Sequence, residues 1–142
     1  MRIEQIINME VRDRSIIDSP ILYKGEAYTF FDTGLTRYVF ANADKTKVIK
    51  ILIEKGEGRF DFNEEESDIY KNASDEKRAK LAKTELTYNG TIIEQEFCNP
   101  IKFDDRKMTI PQILFASSCR NEVGWTKEGN LVCFDLNEYM KY

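Results

Sequence analysis

The chain has 142 residues, of which 42% are hydrophobic, 32% charged and 12% aromatic, the composition of a single soluble domain with enough apolar surface for its own core. Its 21 basic residues against 25 acidic leave a net charge of −4, which argues against direct nucleic-acid binding through a basic footprint. The chain has no histidine, which excludes any mechanism built on an imidazole base, nucleophile or metal ligand.

Three cysteines, Cys98, Cys119 and Cys133, form an odd set with no CxxC pair. They read as ordinary buried thiols in a reducing cytoplasm rather than as a disulfide framework or a zinc site. No apolar run approaches the ~20 residues that span a bilayer, and the opening MRIEQIINMEVRD lacks a signal-peptide pattern. The expectation is a cytoplasmic protein with no membrane contact. Seven Gly, three Pro and no internal repeat point to one domain over 1–142. It divides into an N-terminal extension (1–26), a sheet with a helix (27–103), and a short helix followed by a hairpin (104–142).

Arg2–Met9 places Ile3, Ile6, Ile7 and Met9 at helical spacing, and Pro20 and Gly25 then bracket a short extended piece. Tyr28–Asp32 and Leu35–Ala41 are aromatic and β-branched and read as strands, joined to Lys47–Ile53 by a turn at Asn42–Lys45. Lys47–Ile53 is apolar on both faces, so it belongs in the middle of a sheet. Lys50 in its centre is then costly unless its ammonium finds a partner.

The window 57–76 is the most acidic of the chain. Within it, Phe62, Ile69, Tyr70 and Ala73 form one helical face. Glu66 falls on that face, Glu64 and Asp68 point away, and Glu65 lies at the border. Ser74 can cap a second short helix running to about Ala82. Thr84–Tyr88, Asn89-Gly90 and Thr91–Phe97 form a hairpin signal, because Asn-Gly is favoured in tight type I′ turns. Thr109–Ser118 has helical spacing at Ile110, Ile113 and Leu114, with Pro111 tolerated in the first turn. Glu122–Thr126 and Leu131–Leu136 form a second hairpin. The fold class is therefore α+β with a mainly antiparallel sheet.

This order resembles the small lobe of the protein-kinase-like fold. Val48-Ile49-Lys50 resembles the kinase strand whose lysine pairs the ATP phosphates and a glutamate of the following helix, and Glu66 resembles that glutamate. Asn121 and Asp135-Leu136-Asn137, at the two ends of the last hairpin, resemble the asparagine and D-F-G aspartate that hold magnesium. Glu96-Phe97-Cys98 resembles the hinge. The resemblance implies nucleotide contacts at Lys50, Glu66, Asn121 and Asp135, with Asn121 and Asp135 as metal ligands if ATP and magnesium bind.

The departures point away from catalysis. The kinase base aspartate stands five residues before the asparagine, and here that position is Ala116. The stretch Asp32–Tyr38 has one glycine where a Gly-rich loop has three, and seven residues after Asp135 leave no room for a large lobe. The resemblance thus implies a degenerate, non-catalytic pseudokinase-like binding protein with no required cofactor. Small His-free chains of this kind resemble phage or mobile-element products, which implies a host protein, such as a defence factor, as the partner. Two alternatives stand beside this: an ATP/Mg-dependent phosphotransferase or nucleotidyl-transferring relic, and an acidic mimic of nucleic acid. Candidate partner-facing residues are Glu64, Glu65, Asp68 and Trp125.

Overall fold

The computed structural model describes residues 1–34, 36–54, 62–87, 91–101 and 108–139. The Asn89-Gly90 turn, Leu35 and the acidic stretch 57–61 lie outside the described residues. The main sheet has six strands, β1 (Ile21–Tyr23), β2 (Glu26–Thr33), β3 (Arg37–Asn42), β4 (Lys47–Leu52), β5 (Thr84–Thr87) and β6 (Ile92–Glu96). They run in the order β1-β2-β3-β4-β6-β5, and every neighbouring pair is antiparallel.

β4 is central, as its two-sided apolar pattern requires, and all of its residues except Lys47 are buried. One face carries Ile49 and Ile51, which pack with Tyr28, Tyr38, Phe40 and Ile92. This face curls into a half-barrel. Tyr23 on edge strand β1 donates its hydroxyl to Glu94 of β6 at 2.9 Å and lies 3.3 Å from the Thr87 hydroxyl on the opposite edge, β5. Five flat strand spacings would hold those edges ~24 Å apart, so the hydroxyl contacts require the curl.

The concave face is plugged by the N-terminal segment, which is thus part of the main core rather than an extension. Helix α1 (Ile3–Ile7) and a 3₁₀ turn (Arg14–Asp18) deliver Ile3, Ile6 and Ile16 into it. Arg12 fastens the segment. It is fully buried and donates to the carbonyls of Ile6 (3.0 Å), Ile7 (3.0 Å) and Leu52 (2.9 Å). It thereby ties the end of α1 to the end of β4 through their backbone acceptors.

The other face of the sheet meets α2 (Phe62–Asn72). Beyond it lies a smaller unit made of α3 (Asp75–Arg78), α4 (Ile110–Ser118), α5 (Leu136–Tyr139) and a three-stranded sheet of β7 (Asn99–Pro100), β8 (Val123–Trp125) and β9 (Leu131–Cys133). Its core joins Leu81, Ala116, Cys119, Val123, Cys133 and Leu136 to Ile69 and Tyr70 of α2 and to Ala73 just beyond it. β9 stops at Cys133 and Leu136 opens α5, so the predicted strand Leu131–Leu136 is half its expected length. α3 likewise ends at Arg78, short of Ala82. Gly124 is required for β7 to reach β8: a Cβ there would lie 2.6 Å from the Asn99 carbonyl oxygen.

α4 forms where its spacing predicts, with a capping box between Thr109 and Gln112. The Ile110, Ile113 and Leu114 stripe nevertheless faces outward, at 74%, 52% and 66% exposure. The inward side is Phe115, Ala116 and Cys119. Periodicity marks a helix but does not by itself choose its inner side.

Candidate functional site

Strand alternation places Lys50 on the α2 face of β4, and the β3–β4 register, with Val39 opposite Lys50 and Arg37 opposite Leu52, puts Arg37 on the same face two residues along. α2 crosses this face and directs Glu66 at both cations. The Lys50 ammonium donates to Glu66 Oε1 at 2.6 Å, and Arg37 Nη1 donates to Glu66 Oε2 at 2.9 Å. Gln95 of β6 adds a bond to Glu66 Oε1 at 3.0 Å. Glu66 has no exposed surface and the Lys50 side chain only 5%.

The network continues into the segment after β9. Lys50 also donates to the Phe134 carbonyl oxygen. Arg37 Nη2 reaches Asp135 at 3.4 Å and Asn137 at 3.2 Å, while its Nη1 bonds Asn63 at 3.3 Å. Asn137 in turn donates to Glu65 at 3.0 Å and to the Phe62 carbonyl at 3.3 Å. Among the described residues two cations, Lys50 and Arg37, pair with two carboxylates, Glu66 and Asp135, and these four groups are charge-balanced.

Burial pushes the Glu66 carboxyl up, but Lys50 and Arg37 outweigh it and hold the group below the ordinary carboxylate range. Burial lowers the Lys50 ammonium, with Glu66 pulling the other way and Arg37 adding to the depression. A buried carboxylate is tolerated only while hydrogen-bonded cations neutralise it, and a buried cation only while a carboxylate does the same. The arrangement therefore works as a latch: it ties β3 and β4 to α2 and clamps the segment Phe134–Asn137 onto both.

Of the sequence-predicted residues, Lys50, Glu66 and Asp135 are brought into one cluster, with Arg37 as the bridge. Asn121 lies in the turn after α4. It is exposed, has a φ of +61°, and donates its backbone N–H to the Ala116 carbonyl at 2.7 Å, which closes the helix end. The bond from Phe134 N–H to the Glu122 carbonyl, 3.1 Å, extends the β8–β9 ladder and sets Asn121 and Asp135 at the same end of that hairpin. Among the described residues no three Cys, Asp or Glu side chains converge as a metal-ligating set. Glu64 and Asp68 are exposed on α2, Glu65 is tied to Asn137, and Trp125 is half-buried in β8.

Sequence reasoning missed Arg37, Asn63, Gln95 and Asn137. Arg37 could have been found only by assuming the β3–β4 register, since it then falls diagonally beside Lys50. No protein-family model matches the chain, and no curated protein matches it.

Proposed function

We propose that the chain is a non-catalytic binding protein on a kinase-small-lobe-like scaffold, acting through protein–protein contacts, with a host protein as its partner. The observation that carries this reading is the closed, charge-balanced network around Lys50. In a kinase the strand lysine serves both the helix glutamate and the ATP phosphates, and the D-F-G aspartate serves magnesium. Here the Lys50 ammonium is shared between Glu66 and the Phe134 carbonyl, and Arg37 reaches Asp135 where a metal would be expected. A phosphate at either cation would compete with these partners for buried donors.

Two further observations support the reading. Ala116, at the position of the kinase base, is buried in the small core. α4 presents Ile110, Ile113 and Leu114 to solvent with no charged residue between Thr109 and Cys119, a surface suited to an apolar protein contact.

The test is a thermal titration with millimolar ATP and magnesium. No shift is expected. A ligand at 100 times its Kd would add ~2.7 kcal/mol of stability. A rise of that order in the wild type, lost in Asp135→Asn, would instead show an ATP- and magnesium-binding site, the premise of the phosphotransferase reading.

A further inference from the structure

We draw no further inference here: the strongest candidate, the exposed apolar stripe of Ile110, Ile113 and Leu114 along α4, is an unpartnered helix face, and nothing in the structure shows what covers it.

Discussion

Replacing Glu66 by Gln keeps the shape of the side chain and removes its charge. The carboxylate accepts from Lys50 at 2.6 Å, Arg37 at 2.9 Å and Gln95 at 3.0 Å, and is wholly buried. Glutamine has one acceptor oxygen and an amide that can only donate, so one cation meets a donor and both lose the Glu66 charge. Breaking a buried ion pair costs ~3–5 kcal/mol; with Arg37 still on Asp135 and Lys50 still on the Phe134 carbonyl, Glu66→Gln belongs near the middle, ~4 kcal/mol. That is a large part of the 5–15 kcal/mol that stabilises a domain, and at ~3 °C per kcal/mol it lowers Tm by roughly 12 °C. Lys50→Met is the control. It removes one of the two counter-charges of Glu66 and a donor from the Phe134 carbonyl, but Glu66 stays paired to Arg37 and bonded to Gln95, so the loss is smaller, ~1–3 kcal/mol. Urea unfolding, followed by far-UV circular dichroism and by the fluorescence of Trp125, the sole tryptophan, measures both variants. The expected order is Glu66→Gln well below Lys50→Met, which lies below wild type. If Lys50→Met were the worse of the two, or if both cost under about 1 kcal/mol, the network would be an ordinary surface pair and the latch would be wrong.

Acid should weaken the fold through the same residue. Glu66 and Glu94 are both held below their ordinary value of 4.5, burial pushing each up but Lys50 and Arg37 in one case and Lys24 and Tyr23 in the other outweighing it. Such groups contribute their full stability above the unfolded pKa and lose it as pH falls through the lower folded value. A Tm profile should therefore be level down to about pH 4.5 and fall below it, with a shallower acid limb in Glu66→Gln; parallel limbs would remove Glu66 from the account. Arg12→Met strips donors from the buried Ile6 and Leu52 carbonyls and the part-buried Ile7 carbonyl and should cost ~3 kcal/mol. Hydrogen exchange should then show α1 released while the small core stays protected. Gly124→Ala drives a Cβ to within 2.6 Å of the Asn99 carbonyl oxygen, so it should destabilise by ~1–3 kcal/mol, read by urea midpoint; a neutral result would mean that β7 does not pair with β8.

Lys50 and Glu66 were legible because each breaks an apolar pattern. A lysine in a strand buried on both faces and a glutamate on the apolar face of the next helix are each costly alone, and each removes the other's cost. Arg37 broke no pattern. Its arrival at Glu66 depends on the β3–β4 register, which is set by Asn42: its side chain accepts the Thr46 and Lys47 N–H groups, both at 3.0 Å, and so closes the turn. Arg12 was hidden for a different reason. It answers backbone carbonyls, and a sequence does not reveal which carbonyls a fold will leave buried and unpaired. The curl of the sheet was equally hidden, since it shows only when Tyr23 meets Thr87 and Glu94 across some 64 and 71 residues of chain. On α4, the 3.6-residue period located the helix but could not choose its inner side. The inner side is the one where Ala116 and Cys119 share a core with Val123 and Cys133, while Ile113 and Leu114 stay exposed.

Asp135 offers the sharpest separation between a latch and a phosphate site. Its contact with Arg37 is the longest in the network, 3.4 Å, and its side chain the most open, at 28% exposure. Asp135→Asn should therefore cost little in stability, ~1 kcal/mol or less. It also changes the sign of the cluster. Lys50 and Arg37 are then opposed by Glu66 alone, leaving one net positive charge beside a partly open edge, and Lys50 and Arg37 carry donors that suit a phosphate or sulfate oxygen. In sulfate titrations at constant ionic strength, wild-type Tm should not move beyond the general salt effect, while Asp135→Asn should gain a saturable rise. Equal saturable rises in both proteins would show that the cations are already available to anions, and the closed network would then be the ground state of a binding site rather than a substitute for one.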